Sequence, residues 1–233
     1  MEREPVVVAV TGLLKEARIA AGRGVRAIAA GAQPGRLAGA LEHEIALGAK
    51  AVISFGVAGG LVEHLISGDW LVAKAIVTPN ERWPCDRAWS GALAERLSAA
   101  SVVELAGADA LVIDRDAKLQ LHHATGAAAV DTESHIAAAI AATHKLPFAA
   151  FRVVLDGARR SLPSVACVGV APDGTINGAA VLRSLARAPG QLPLLLRTAI
   201  DARTAFRALL RGRRLLGPGL AYADFTELLL DVS

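Results

Sequence analysis

The chain has 233 residues, a length that favours one α/β domain over two. Hydrophobic residues make up 53% of the sequence and aromatic residues only 4%, so a large core must be packed from aliphatic side chains. The formal net charge is +3, but no nucleic-acid-binding module or base-stacking aromatic pattern accompanies the basic residues, which argues against a nucleic acid partner.

The cysteines and the N-terminal residues predict a cytoplasmic protein, and the spacing of the cysteines and histidines predicts that it binds no metal. Cys85 and Cys167 lie far apart, and neither a disulfide framework nor a zinc-binding spacing can be built from them. The histidines do not have the spacing of a zinc site either. The charged residues 1–5 run directly into an apolar strand, unlike a secretory signal. No run of about 18 apolar residues occurs, so we expect no transmembrane helix.

Alternating strand and helix patterns predict an α/β fold over residues 1–233. Strands are predicted at residues 5–10, 26–30, 51–54, 70–77, 110–113, 127–130 and 148–155. Helices are predicted at residues 13–21, 36–47, 92–100, 132–143, 179–187 and 193–211, with 118–125 either helix or loop. This order predicts a single three-layer α/β/α domain around a central mixed, largely parallel sheet, with residues 179–233 as a helical C-terminal segment.

Two early segments follow predicted strands, where open α/β sheets bind their ligands. Residues 11–16 end in Glu16, which either faces the ligand crevice or is a solvated acid favoured by the helix dipole. Residues 56–60 form a predicted glycine-rich turn. Its glycines either let the backbone approach a ligand or meet the needs of a tight turn.

Two later segments carry acids in the same position. Residues 131–134 place two acids and two hydroxyls at the start of a predicted helix, which is more than helix capping requires. Asp156 follows the last strand and precedes Gly157, as either an ordinary turn residue or an acid that projects into the crevice. Lys118 is interpreted as an ordinary helix cation.

Together the four segments resemble the purine nucleoside phosphorylase and methylthioadenosine/adenosylhomocysteine nucleosidase superfamily. The resemblance covers most of residues 6–160. Residues 56–61 are similar to its Gly-Ser-Ala-Gly-Gly-Leu motif, residues 130–134 to Val-(Glu/Asp)-Met-Glu-(Ser/Gly), and residues 152–158 to Arg-x-x-Ser-Asp-x-Ala. It implies a nucleoside phosphorylase-like homo-oligomer that cleaves the bond between a purine and a ribose-type sugar. No cofactor is implied, with phosphate as an alternative co-substrate to water.

The resemblance also implies a role for each matched residue. Asp156 matches the acid that protonates or hydrogen-bonds N7 of the departing purine, Glu133 the carboxylate that holds the ribose hydroxyls, and Glu16 the residue that activates water. Such roles suit a reaction that builds positive charge on the ribose and negative charge on the base. The other predicted substrate contacts are Gly59, Val57, Thr132, Arg152 and Phe151, with Phe151 or Phe55 as candidates for stacking on the base.

Three positions depart from the family pattern. Val57 and Leu155 stand where a hydroxyl residue is usual, and Thr132 replaces the common Met. The missing hydroxyl at Val57 leaves water and phosphate both open as nucleophile, although Glu16 favours water. The departures also leave open a nucleoside-binding protein without catalysis.

The chain also resembles the hopanoid-associated phosphorylase subgroup, through residues 127–134 and the tail at 181–212. This resemblance implies release of adenine from adenosylhopane in hopanoid biosynthesis, with a methylthioadenosine/adenosylhomocysteine nucleosidase or a purine nucleoside phosphorylase as alternatives. A lipid-like substrate requires a wide apolar mouth and access to a membrane. The basic, Leu-rich tail predicts either an interfacial helix at the inner membrane or a helix packed on the sheet with its arginines in solvent.

Overall fold

The computed structural model describes residues 7–29, 33–163, 175 and 178–222. Its strands are β1 (Val7–Thr11), β2 (Val25–Ala29), β3 (Ala51–Gly60), β4 (Trp70–Val77), β5 (Arg82–Pro84), β6 (Ser101–Gly107), β7 (Ala129–Asp131) and β8 (Phe148–Asp156). Its α-helices are α1 (Leu14–Ala20), α2 (Pro34–Ala46), α3 (Arg87–Arg96), α4 (Arg115–Thr125), α5 (Ser134–Thr143), α6 (Gly178–Arg187) and α7 (Leu192–Leu216). Predictions that concern residues 1–6, 30–32, 164–174, 176–177 and 223–233, Cys167 included, fall outside the described residues.

The strands form one mixed sheet in which five strands pair in a closed ring. β1 lies between β2 and β3, and both pairings are parallel. β3 pairs in parallel with β8, β8 antiparallel with β4, and β4 in parallel with β6. β6 pairs in parallel with β7, which meets the end of β3 at Gly59 and Gly60. The ring therefore brings the ends of β3, β7 and β8 together at one place.

Helices cover both sides of this sheet, because successive side chains of a strand point to opposite faces. In β1, Val7 and Ala9 face a core shared with α1, α3 and α7, whereas Val8 and Val10 face a core shared with α2 and α5. Burial of each such valine contributes about 1.5–3 kcal/mol. The predicted three-layer α/β/α fold with a mixed, largely parallel sheet is confirmed. None of the described helices is long and apolar enough to cross a bilayer.

The predicted glycine-rich turn at residues 56–60 was wrong, because these residues continue β3. Gly56 pairs with Arg152 and Gly59 with Asp156 in β8, so hydrogen bonding to the neighbouring strand keeps the segment extended. The glycine-rich segment therefore lies inside the sheet rather than in a loop above it.

The predicted strand at residues 110–113 was also wrong. The strand of this region is β6, whose first residues are exposed and polar at Ser101, which weakens its apolar pattern. Ala110, Leu111 and Val112 instead line a cavity, so the apolar character of this run reflects a pocket wall. The helix predicted at residues 92–100 is α3, which begins earlier, at Arg87, because Asp86 caps it by accepting a hydrogen bond from the Trp89 N–H.

Candidate active site

A cavity of about 350 Å³ lies at the ends of β3, β7 and β8, beside the loop that follows β1. Its volume is in the range of small-molecule binding sites. The acidic residues that line it are Glu16, Asp131, Glu133 and Asp156. In the described part of the chain, no lysine or arginine is among its lining residues. The same residues include no group of three or more His, Cys, Asp and Glu side chains arranged to hold a metal ion.

Backbone N–H groups from two segments hold Glu16 in this cavity. Its Oε2 atom accepts hydrogen bonds from the N–H groups of Gly12 (3.0 Å) and Leu13 (2.8 Å), and Oε1 accepts one from Val57 in β3 (2.8 Å). Burial raises the pKa of Glu16 to about 7, against the opposing effect of the Arg152 guanidinium. A carboxyl group with a pKa near neutrality is suited to act as a general base.

Two glycines leave the space that the site carboxylates occupy. A Cβ atom at Gly56 would lie 2.6 Å from Oε1 of Glu16 and 2.8 Å from Nη1 of Arg152. A Cβ atom at Gly12 would lie 2.6 Å from Oε1 of Glu133. Glycine at these positions therefore allows close approach of protein side chains.

The two acids at the end of β7 have different roles: Asp131 caps helix α5, and Glu133 lines the cavity. Asp131 Oδ1 accepts hydrogen bonds from the N–H groups of Glu133 (2.9 Å) and Ser134 (2.7 Å), which satisfies donors at the start of α5. Capping thus explains Asp131 and leaves Glu133 for the cavity. Thr132 Oγ1 donates a hydrogen bond to Oε1 of Glu133. Burial raises the pKa of Glu133, while Arg152 opposes this effect.

Arg152 is the cation that holds these acids together. Its side chain is 0% exposed, and Nη2 lies 3.2 Å from both Asp131 Oδ1 and Glu133 Oε2. Nη2 also donates to Ser54 Oγ, and Nη1 donates to the Val57 carbonyl at 3.3 Å. Burial disfavours the guanidinium, but the surrounding carboxylates outweigh it and raise the pKa of Arg152. Arg152 thereby positions Glu133 from beneath the cavity.

Asp156 ends β8 and is paired with a buried lysine. Lys118 Nζ donates hydrogen bonds to Asp156 Oδ2, to the Gly157 carbonyl (3.2 Å) and to the Arg160 carbonyl (2.9 Å). Burial raises the pKa of Asp156, and the Lys118 ammonium lowers it.

A second, mostly apolar cavity of about 820 Å³ adjoins the first. Leu13, Val57, Leu155 and Thr198 line both, so the two spaces meet at these residues. The other apolar side chains of the second cavity come largely from α1 and α7, and include Ile19, Leu195, Ala199, Ala202, Phe206 and Leu210. Its lining also includes four exposed cations, Lys15, Arg18, Arg203 and Arg207. We call this space the apolar channel.

The amino-acid sequence matches the family model of the Phosphorylase superfamily over residues 1–187. The chain belongs to this superfamily. No curated protein matches the chain at the sequence level.

Solved structures of nucleosidases share the fold of this phosphorylase superfamily chain. The 5'-methylthioadenosine/S-adenosyl homocysteine nucleosidase of Helicobacter pylori, in complex with a ligand, is 16% identical, with a TM-score of 0.61 over 88% of this chain and 96% of that one. Futalosine hydrolase from the same organism is 15% identical, with a TM-score of 0.60 over 89% and 96%. The S. pneumoniae nucleosidase with a transition-state inhibitor is 14% identical, with a TM-score of 0.60 over 90% and 99%. Membership thus confirms the predicted superfamily of nucleoside phosphorylases and nucleosidases.

Most of the residues predicted from the phosphorylase superfamily motifs lie together. The predicted residues that line the first cavity are Glu16, Val57, Gly59, Thr132, Glu133 and Asp156. Arg152 and Phe151 do not line it.

The predicted stacking of a base on Phe151 or Phe55 does not agree with their positions. Both rings are 0% exposed and pack on each other with centroids 5.5 Å apart. In β8, Phe151 and Val153 face one side of the sheet, whereas the even-numbered Val154 and Asp156 face the other. Because side chains alternate along a strand, the ring of Phe151 and the carboxyl group of Asp156 lie on opposite faces of the sheet.

Lys118 is the site residue that the sequence interpretation missed. It was assigned as an ordinary helix cation, yet its side chain is 1% exposed. The available signal was its helical spacing from Leu121 and Thr125, three and seven positions later, which puts the lysine on the inward face of α4.

Proposed function

We propose that the chain hydrolyses the N-glycosidic bond of an adenine nucleoside. The observation that carries this proposal is that three buried carboxylates, those of Glu16, Glu133 and Asp156, line one cavity. Water is favoured over phosphate because Glu16, whose pKa is raised to about 7, is suited to activate water, and the described lining contains acids, which repel an anion, and no lysine or arginine.

Each carboxylate has a distinct task in this reaction. Glu16 takes a proton from water, whose oxygen bonds to C1′ of the sugar. Glu133 holds the ribose hydroxyls and stabilises the positive charge that builds on the ribose. The electron pair of the C1′–N9 bond moves into the purine, and Asp156 donates a proton to N7. General acid help of this kind contributes about 10²–10⁴-fold to the rate.

For the substrate, we propose adenosylhopane, an adenine nucleoside with a long apolar 5′ group. The apolar channel supports this choice, because it adjoins the acidic cavity and has the volume for a large hydrocarbon. Val57 and Leu155, two of the positions that depart from the family pattern, lie where the two cavities meet. Replacing hydroxyls by aliphatic side chains at this junction favours an apolar substituent.

Contact with an anionic membrane surface is part of the same proposal. Leu192, Leu194, Leu196 and Ile200 on α7 are exposed, at 38–65%. Arg197 and Arg203 are exposed on the same helix, and cations also line the apolar channel nearby. Apolar side chains flanked by arginines suit a helix at the surface of anionic lipid, the inner membrane in this case. Assembly into a homo-oligomer stays a prediction from the resemblance, to be checked by light scattering.

Adenine release tests the reaction. The purified chain is incubated with adenosylhopane, methylthioadenosine or adenosine, with and without phosphate. We expect phosphate-independent release, lower by about 10²–10⁴-fold in Asp156→Asn. Dependence on phosphate would identify a phosphorylase, and binding of nucleosides without any release would identify a non-catalytic binding protein.

The substrate preference is tested at the channel junction. We expect Val57→Ser with Leu155→Ser to lower kcat/KM for adenosylhopane and to leave methylthioadenosine cleavage much less affected. Val102→Ser, at an exposed position of β6, is the matched control. Equal losses for the two substrates would exclude the channel as the site of the 5′ group.

Membrane contact is tested by flotation with vesicles of anionic or neutral lipid. Leu196→Asp and Ile200→Asp should abolish binding to anionic vesicles. Leu47→Asp, an exposed control directly after α2 in the other helical layer, should not. Vesicle binding that ignores lipid charge, or persists in both α7 variants, would contradict this part of the proposal.

A further inference from the structure

The one buried residue on helix α4 is a lysine, Lys118. The helix starts next to the site because Asp114 caps it, accepting hydrogen bonds from the N–H groups of Asp116 (2.8 Å) and Ala117 (3.3 Å). This start directs Lys118 inward to the end of β8, where Asp156 lies. A lysine is rarely buried to this degree unless its charge is paired.

All three ammonium protons of Lys118 have an acceptor. One goes to Asp156 Oδ2, and the others go to the carbonyls of Gly157 (3.2 Å) and Arg160 (2.9 Å). The two carbonyls belong to the loop that follows β8, so Lys118 fixes both the acid and the chain beyond it. Full satisfaction compensates for the desolvation of the ammonium group.

The same contact decides which oxygen of Asp156 is available. Oδ2 is occupied by Lys118, and no hydrogen bond from a described residue reaches Oδ1. A Cβ atom at Gly59 would lie 3.6 Å from Oδ1 and 3.9 Å from Oδ2, so the carboxyl group lies against the cavity wall formed by β3, and its hydrogen bonding is what distinguishes the two oxygens. Asp156 therefore presents one carboxyl oxygen rather than two.

We propose that Lys118 is the positioning residue for Asp156: it holds Oδ2 so that Oδ1 carries the transferred proton, and it stabilises the carboxylate that remains after transfer. The proposal rests on the proposed function. As the C1′–N9 bond breaks, its electron pair enters the purine and the proton on Oδ1 moves to N7. Lys118 keeps its protons, and its ion pair with Asp156 strengthens as the negative charge forms.

The charged groups around Asp156 come from three elements. Lys118 on α4 faces it directly, Asp201 lies on α7, and Arg160 lies in the loop after β8 and donates to Asp201 Oδ2. Burial raises the pKa of the Asp156 carboxyl, and Lys118 is the main influence that lowers it. The smaller effects of the other two groups have opposite signs, since Asp201 raises this pKa and Arg160 lowers it. Removing the ammonium should therefore make Asp156 a weaker acid.

Two measurements on Lys118→Met, Lys118→Arg and the wild type test the proposal. Carboxyl titration of Asp156 by NMR should show a shift to higher pH by about one unit or more in Lys118→Met, and little shift in Lys118→Arg. The alkaline limb of kcat/KM for adenine release should move in the same direction in Lys118→Met, because the acid stays protonated to higher pH. Lys50→Met, at an exposed position, is the control and should change neither.

A purely structural role for Lys118 would lower thermal stability and kcat without moving either titration, and that result overturns the proposal. If Lys118→Met does not fold with Asp156 left unpaired, the titration is made on Lys118→Gln, which removes the charge but keeps hydrogen-bonding capacity. An absence of adenine release in the wild type would contradict the proposed function. It would leave the effect of Lys118 on Asp156 testable, since the Asp156 titration does not depend on turnover.

Discussion

Ionisation of Glu16 should oppose folding as the pH rises, and this can be measured without a substrate. The carboxyl is buried, and burial raises its pKa from the ordinary 4.5 to about 7. Replacement by Gln removes the ionisation and keeps the size of the side chain. The difference in unfolding free energy between wild type and Glu16→Gln therefore isolates one group, because every other titrating residue is common to both.

The sign follows from the direction of the shift. A group whose pKa is higher in the folded state contributes stability that is present below pH 4.5 and is lost as the pH rises through 7. A shift from 4.5 to about 7 corresponds to about 3 kcal/mol. Relative to Glu16→Gln, the wild type should thus lose about 3 kcal/mol, most of it between pH 4.5 and 7.

Urea unfolding at intervals from pH 5 to pH 8 measures this difference. Glu95→Gln, at an exposed position of α3, serves as the matched control. The absolute stability of Glu16→Gln also reflects an amide that must face three backbone N–H donors, so the slope with pH is the diagnostic quantity. A difference that stays constant across this range would show that Glu16 does not titrate near neutrality, which would remove it as the general base.

Two further substitutions test the packing of the site. Gly56→Ala should strongly destabilise the protein, because its Cβ atom would lie within 2.8 Å of two site side chains. Gly91→Ala, on an open face of α3, is the control and should stabilise the protein by up to about 1 kcal/mol. Thermal unfolding of both variants measures the difference. Arg152→Met should cost about 3–5 kcal/mol in urea unfolding, because Asp131 and Glu133 lose their buried cation. A loss under about 1 kcal/mol would contradict that account.

Apolar pattern was sufficient to predict a strand where an unbroken aliphatic run is buried on both faces, as in β4, but not where glycines continue a strand, as in β3. The strand at Trp70–Val77 has the predicted bounds, because its run of aliphatic residues is packed between two helical layers. β6 was missed because its first residues are exposed, and residues 110–113 were taken for a strand because a cavity wall is as apolar as a core. Pattern alone does not distinguish these two kinds of burial.

The site was predictable where a local motif places a carboxylate at a strand end, and not where a contact spans the chain. Glu16 and Glu133 follow strands and Asp156 ends one, so the sheet brings the three acids together. The partner of Asp156 is Lys118, which lies 38 positions earlier on a helix. The local sequence around either residue does not indicate that the two are in contact. The role of Gly56 was hidden in the same way, because the side chains that need its space come from α1 and β8.

The C-terminal helix α7 should influence the site acid through Asp201, in the opposite direction to Lys118. Asp201 Oδ2 accepts a hydrogen bond from Arg160, and its backbone carbonyl accepts one from Ser67 (2.8 Å), so the carboxylate is fixed near the end of β8. The negative charge of Asp201 raises the pKa of Asp156, whereas the positive charge of Arg160 lowers that pKa. Asp201→Asn removes the raising charge and frees the guanidinium, so the titration of Asp156 should move to lower pH. The shift should be smaller than in Lys118→Met, because Asp201 shares no hydrogen bond with Asp156. Carboxyl NMR on both variants measures the direction in which the Asp156 titration moves. If that titration moves to higher pH in Asp201→Asn, α7 does not act on Asp156 through the charge of Asp201.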